Sequence, residues 1–265
     1  MLRSRLCIQI AALLAAAALT GACVTDGDPG ADDPVASADA SRARAHHSVG
    51  AGHLREGRIG LAIRELRAAE QLNPRDTWIQ LGLAEAYRRK NLNNDAERHL
   101  LKALALNPSF QDARLTLSGL YIQMGRYPEA IEQAQALVDD PTYPMPWMAL
   151  SNKGYALMQL GPGAEARESL ELALEYHPRY WRALLNLAIL DAQEGKRIEA
   201  MDRFERVLGL DAGPLGMAEA NYRMAEIYIS LGNEERAVEH LVAAGSQRPS
   251  GPWGKRSEET LKRLR

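Results

Sequence analysis

The sequence predicts an all-α protein, a solenoid of six helix–turn–helix repeats, and three observations carry that expectation. Alanines at Ala62, Ala96, Ala130, Ala166, Ala200 and Ala237 stand 34, 34, 36, 34 and 37 residues apart. Gly57, Gly125, Gly161, Gly195 and Gly232 each precede one of these alanines by five residues, and Asn91 takes that place before Ala96. Pro74, Pro108, Pro178 and Pro249 each follow their alanine by twelve. Self-similarity at a fixed period of this length marks stacked supersecondary units. The 36- and 37-residue steps read as loop insertions of two and three residues.

Each recurrent residue has a physical role. Glycine accepts the positive φ that a helix end often needs, and so turns the chain between two antiparallel helices. Alanine is small where those helices approach most closely. Leu66, Leu100, Leu170, Phe204 and Leu241 lie four residues later on the same helical face and fill the space beside it. Proline has no N–H to continue a helix, so it stops the second helix and aims the chain into the next unit. With Gly154 at the glycine of the first helix and Tyr87, Tyr121 and Tyr228 at its tyrosine, the pattern resembles the tetratricopeptide repeat. That resemblance implies a right-handed superhelix.

The repeats are placed at 43–76, 77–110, 111–144, 147–180, 181–214 and 218–251. The first is the least regular, with His46 and His53 at its two aromatic positions, as expected of a terminal unit. Residues 252–265 read as a capping segment. Ser257, with Glu259 or Thr260 nearby, opens like a capping box. Lys255, Arg256, Lys262, Arg263 and Arg265 form a basic end, read as a solvated helix face rather than a binding patch.

The N-terminus sets the expected compartment. Arg3 and Arg5 make a short basic region, Leu6 to Leu19 is apolar, and Gly21 and Ala22 are small residues directly before Cys23. This is the order of a cleavable secretory signal over residues 1–22, too short to span a bilayer. It resembles a bacterial lipobox, with Thr20 where leucine is commonest, and implies lipidation of Cys23. The chain has two cysteines and Cys7 falls in the signal, so no disulfide is expected. One acyl chain anchors only marginally, but a lipoprotein cysteine carries three. Val24, rather than aspartate, follows the cysteine and points to the outer membrane, with the protein facing the periplasm. Residues 23–42 hold Asp26, Asp28, Asp32, Asp33 and Asp39 and little to bury, so a disordered tether is expected. About 20 such links span ~25 Å. The formal charge of −2 becomes −4 without Arg3 and Arg5, and gives no reason to expect nucleic acid.

Motifs for catalysis are missing: no His-Glu-x-x-His, Gly-x-Ser-x-Gly, phosphate loop or cysteine pair. No enzyme activity, cofactor, metal or small-molecule substrate is therefore expected. His46 and His53 are seven apart on one helix, so they lie ~10 Å apart along its axis and cannot share one metal ion unaided. His47 points elsewhere.

Binding residues are more legible. In such a solenoid the first helices line one face through positions 2, 5, 9 and 12 of each repeat. Those positions give Trp78 and Leu81, then Leu115 and Ile122, then Met148, Tyr155 and Met158. The last two repeats add Leu185 and Ile189, then Tyr222 and Ile229. Asn152 and Asn186 recur 34 apart at position 6, where an amide can hydrogen-bond an extended backbone. A residue at any one of these positions has an alternative, packing against the neighbouring first helix. As a set they read as an apolar partner groove. Leu81, Leu115 and Leu185 stand where lysines would clamp an acidic C-terminus, so apolar segments are the expected ligands.

One stretch is more particular. Asp140, Pro141, Thr142, Tyr143, Pro144, Met145 and Pro146 lead into Ala149, Leu150, Asn152 and Gly154. This run resembles the junction between the third and fourth repeats in the PilF/PilW family of type IV pilus biogenesis/stability lipoproteins. The myxobacterial lipoprotein Tgl shares the plan of lipobox, tether and six repeats. The resemblance implies a pilotin, which helps secretin subunits insert and assemble in the outer membrane. The alternative is an adaptor lipoprotein that recruits a periplasmic protease or cell-wall enzyme.

Overall fold

The computed structural model describes residues 34–161 and 163–264. The signal segment, Cys23 and much of the expected tether lie outside them. Among the described residues, thirteen α-helices follow one another. Six antiparallel pairs come first: α1 (Pro34–Arg55) with α2 (Ile59–Leu72), α3 (Thr77–Arg89) with α4 (Asn93–Leu106), and α5 (Gln111–Gln123) with α6 (Tyr127–Val138). Then come α7 (Pro146–Leu160) with α8 (Ala164–Tyr176), α9 (Trp181–Gln193) with α10 (Arg197–Leu208), and α11 (Gly213–Ser230) with α12 (Glu234–Gln247). A single helix, α13 (Pro252–Arg263), closes the series. None of them is long and apolar enough to cross a membrane.

The turns form as their sequence requires. Gly57, Gly125, Gly195 and Gly232 hold φ between 71° and 79°, and Asn91 holds 60° in the equivalent place. Asparagine is one of the few other residues that enters this region readily.

Small residues set how closely the helices of a pair approach. The six recurrent alanines are 0–1 % exposed. Facing them on the first helices, at one register, are Gly50, Ala84, Ser118, Gly154, Ala188 and Ala225. A Cβ on Gly154 would lie 2.6 Å from Leu170 Cγ and 3.2 Å from the Ala166 carbonyl. One on Gly50 would lie 2.7 Å from Leu66 Cγ. Ser118 uses the same proximity to donate its hydroxyl to the Ala130 carbonyl at 3.1 Å. Leu66, Leu100, Leu170, Phe204 and Leu241 are fully buried beside these seams.

A polar contact recurs across the pairs, always nineteen residues apart, between a first helix and its second. His46 Nδ1 meets Glu65 at 2.8 Å, His99 Nδ1 meets Gln80 Oε1 at 2.7 Å, Arg114 donates to Gln133 at 3.1 Å, and His240 Nδ1 meets Asn221 Oδ1 at 2.9 Å. His99 stacks on Tyr87 and His240 on Tyr228, both with centroids 5.4 Å apart. Burial holds the pKa of each of these two imidazoles below its ordinary value. His46 and His53 thus go to separate carboxylates, the latter to Glu56 at 3.6 Å.

Neighbouring repeats are joined by a second register. Tyr121 donates to Glu97 at 3.0 Å, and Arg126 reaches the same oxygen at 2.8 Å. Burial and the Glu97 carboxylate push the Tyr121 hydroxyl up to about 12. In the fifth repeat Asp191 replaces the tyrosine and Arg167 replaces the glutamate. Asp191 is 1 % exposed and accepts from Arg167 at 2.7 Å and from Arg203. A carboxylate this deep needs both cations to offset its desolvation.

Three expectations about the elements need correction. The first helix begins at Pro34, inside the stretch expected as tether. Ala36, Ala38, Ala40 and Ala43 are strong helix formers, and Ala43 is fully buried. The two-residue excess before α7 does form a longer loop, but the three-residue excess before Ala237 does not. It lengthens α11 at its N-terminus to 18 residues, after the same four-residue connection used elsewhere. The closing helix begins at Gly251–Pro252 rather than at Ser257. Proline suits that first turn, and Ser257 is interior and buried.

Two stability outcomes follow. Gly154→Ala should overpack Leu170 by ~1–3 kcal/mol, more than the helix-propensity gain of ~1 kcal/mol. Gly245→Ala in α12, where a Cβ meets nothing within 4 Å, should raise the melting temperature instead. Thermal denaturation that shows the same sign for both contradicts close seam packing. The buried imidazoles add a pH dependence. Their folded pKa lies below the unfolded value of 6.5, so the stability they contribute is complete above that pH and is lost below it. The melting temperature should fall as pH drops through 6.5, and His99→Gln with His240→Gln should flatten that fall. An unchanged slope in the double variant would remove these residues from the account.

Candidate protein-binding groove

From α3 to α13, each first helix touches the next, so their outward positions come together on one side. In α7, Met148, Asn152 and Tyr155 are spaced i, i+4, i+7 and share that side. Leu150, Gly154 and Met158 are spaced i, i+4, i+8 and face the seam with α8.

Two cavities open along this side. One, of about 230 Å³, is lined by Ile122, Asn152, Tyr155, Leu185 and Asn186 together with Trp181, Arg182, Leu215, Gly216 and Glu219. The other, of about 340 Å³, is lined by Leu115 and Met148 together with Glu85, Arg88 and Tyr180. Ile122, Asn152 and Arg182 line both, so the two form one groove. Seven of the residues picked from the sequence therefore meet here: Leu115, Ile122, Met148, Asn152, Tyr155, Leu185 and Asn186.

The other six lie elsewhere. Met158 is 8 % exposed and packs in the core with Leu150, Leu170 and Leu187, on the seam face of α7. Leu81 is half-buried against the core of the first repeats. Trp78 is 53 % exposed but rests edge-on against Phe110 at 4.8 Å, so the groove starts beyond it. Ile189 borders a separate cavity with Arg197 and Arg223. Tyr222 and Ile229 face α13 beside Thr260, Arg263 and Leu264, and the Tyr222 ring lies tilted against Trp253 at 5.3 Å. Cys23 lies outside the described residues.

Sequence reasoning missed Trp181, Arg182, Leu215, Gly216 and Glu219. The extra turn of α11 explains most of them. Leu215 and Gly216 sit on that turn, and a Cβ on Gly216 would lie 2.8 Å from Trp181 Cζ3. Glycine there lets α11 close over the indole. The 37-residue step was the available signal, had it been read as helix rather than loop.

The groove's chemistry is that of a binding surface. Its walls are mixed, with Ile122, Tyr155, Trp181, Leu185 and Leu215 supplying apolar surface and Glu85, Arg88, Arg182 and Glu219 supplying charge. Tyr155 is half-buried, and burial raises its hydroxyl pKa. The Asn152 amide makes one long contact, 3.4 Å to Ser118 Oγ. Among the described residues no group pairs with the Asn186 amide. Arg182 lies over the Trp181 ring at 4.6 Å. Glu219 is desolvated, which raises its pKa, while Arg223 and Arg256 oppose that rise. Among the described residues no three His, Cys, Asp or Glu side chains are placed to hold a metal ion.

The junction picked out by its prolines is a built turn. Asp140 accepts from the Thr142 backbone at 2.9 Å and hydroxyl at 2.7 Å, and from Gln111 at 2.7 Å. Those hydrogen bonds hold its carboxyl below the usual range. Tyr143 is buried with Ala134, Leu137 and Ala149, and Pro146 starts α7. The turn thereby fixes where Met148 and Asn152 enter the groove.

Models of the tetratricopeptide repeat match residues 93–149, 151–213 and 218–246, together more than half of the chain. The chain is a tetratricopeptide-repeat protein. Among solved structures, PilW, a widely conserved type IV pilus biogenesis factor, superposes with a TM-score of 0.70 at 21% identity, covering 83% of this chain and 98% of PilW. Pseudomonas aeruginosa PilF superposes with a TM-score of 0.65 at 19% identity, covering 84% of this chain and 99% of PilF. At these identities the likeness is one of fold. Mouse Superkiller complex protein 3 is 26% identical over 230 residues, 73% of this chain, but the match spans only 14% of that much longer protein.

Proposed function

We propose that this tetratricopeptide-repeat protein is a pilotin, held in the outer membrane by lipid on Cys23, whose groove binds secretin subunits and promotes their assembly for type IV pilus biogenesis. The observation that carries the reading is the groove across the third to sixth repeats, where Leu115, Ile122, Met148, Tyr155, Leu185 and Leu215 present apolar surface between polar groups. The likeness in fold to PilW and PilF over nearly their full lengths supports it. A hydrophobic segment of an unassembled subunit needs cover until its neighbours bury it. The apolar side chains of the groove provide that cover, and the Asn152 and Asn186 amides hold backbone groups that would otherwise be desolvated without partners. The lipid and tether keep the groove at the membrane where assembly occurs.

The test is secretin multimer formation in cells. Met148→Glu with Tyr155→Ala should abolish multimers, since a carboxylate buried against the partner costs several kcal/mol and a micromolar interaction is worth only about −8 kcal/mol. Met148 lies in the first turn of α7, where a negative charge suits the helix, so the fold should survive. Glu168→Ala, exposed on α8, should have no effect. Cys23→Ala should leave the repeats folded but move the protein out of the membrane fraction and lower multimer yield. A double variant that folds, reaches the membrane and still gives full multimers rules the groove out as the working surface.

A further inference from the structure

The 230 Å³ cavity holds one carboxylate whose charge the protein leaves incompletely matched. Glu219 stands on α11 with a fifth of its side chain exposed, in the same wall as Tyr155, Trp181 and Leu215. Its nearest cation is Arg223, at 3.8 Å, beyond hydrogen-bonding distance. Arg223 is only partly engaged elsewhere: its Nη1 donates to Glu226 at 3.1 Å, its guanidinium lies over the Trp253 ring at 4.9 Å, and its Nε is buried without a hydrogen-bond partner. Arg256 of α13 stacks on the same ring at 4.8 Å, and the Trp253 indole N–H is directed at Glu219 but carries no charge. Arg182 is exposed over Trp181 where the two cavities join, so solvent screens its charge.

We propose that Glu219 is a specificity-determining residue of the groove and receives a lysine or arginine side chain of the bound segment. This rests on the groove reading above and adds to it the charge of one partner residue. A long cationic side chain fits in all its parts. Its aliphatic stem can lie along Leu215 and Ile122, which line the same cavity. Its head can reach the carboxylate beside the Tyr155 ring, where an aromatic face also attracts a cation. Partial burial strengthens that pairing relative to one in open water. A neutral apolar residue in the same place would desolvate Glu219 further and return nothing. The carboxylate therefore selects against uninterrupted apolar segments as well as for a cation.

The experiment selects a random dodecapeptide display library against the full chain, its Glu219→Gln variant and its Glu219→Asp variant. Wild type should enrich apolar peptides that carry lysine or arginine at one fixed place, at several times the unselected frequency. Glu219→Asp should keep that enrichment, and Glu219→Gln should keep the apolar preference but lose the cation. A resynthesised wild-type peptide should bind the Gln variant roughly tenfold more weakly. Apolar peptides without cation enrichment on wild type overturn the proposal and leave the groove standing. So does enrichment that survives in Glu219→Gln. If wild type selects no peptides at all, the groove reading falls and this inference with it. The wild-type arm decides even if a variant melts early.

Discussion

The close approach of two helices across a seam of small residues is the constraint on which the rest of this structure depends. Each alanine from Ala62 to Ala237 is buried against a glycine, alanine or serine of its partner helix, with no room at Gly154 or Gly50 for even a methyl group. That proximity brings Leu66, Leu100, Leu170, Phe204 and Leu241 into full burial and fixes which side of each first helix turns inward. The opposite side is then left over, and it is this remainder that becomes the groove. The groove is thus a consequence of the core, not a separate element added to it. In α7 the two faces are interleaved along one helix, Leu150, Gly154 and Met158 on the seam and Met148, Asn152 and Tyr155 on the groove.

Polar contacts refine what the seams establish. Within pairs, the recurring link between first and second helix is built from different chemistry in different repeats, imidazole with carboxylate, imidazole with amide, or guanidinium with amide. Between repeats, one register holds a tyrosine–glutamate contact in one place and an aspartate between two arginines in another. Conserving the geometry while exchanging the chemistry keeps each interface self-matched and unlike its neighbours. A repeat paired out of order would leave Asp191 buried without its cations, a cost of several kcal/mol. This favours a single register of stacking in a chain whose units otherwise resemble one another.

The fold was legible because period and chemistry agree at every repeat: glycine or asparagine at the turn, alanine at the seam, leucine or phenylalanine beside it. The groove was legible only in part. Position within a repeat tells which way a side chain leaves its helix, and it found Leu115, Ile122, Asn152 and Tyr155. It cannot tell what the neighbouring element does with that side chain. Trp78 points outward but meets Phe110, and Tyr222 points outward but meets Trp253 of α13. Met158 failed for a simpler reason, since four-residue spacing from Gly154 already places it on the seam. Trp181 was missed because an extra turn on α11 changes the wall of the groove, and a three-residue excess does not say whether it is loop or helix. Glu219 stands at position 2 of the sixth repeat and was passed over because it is charged where apolar side chains were sought. The start of the N-terminal helix, ahead of residue 43, was missed because polar, alanine-rich sequence satisfies the criteria for disorder and for helix alike.

The account's central claim is that the side of the first helices left over by the seams is the surface that meets the partner. Site-specific photo-cross-linking in cells tests this most directly, with a benzophenone amino acid placed at Tyr155 in the groove or at Glu168 on the exposed side of α8. The account predicts a cross-link to the secretin subunit from position 155 and none from position 168. A cross-link from 168 alone, or a partner captured equally from both, would contradict it.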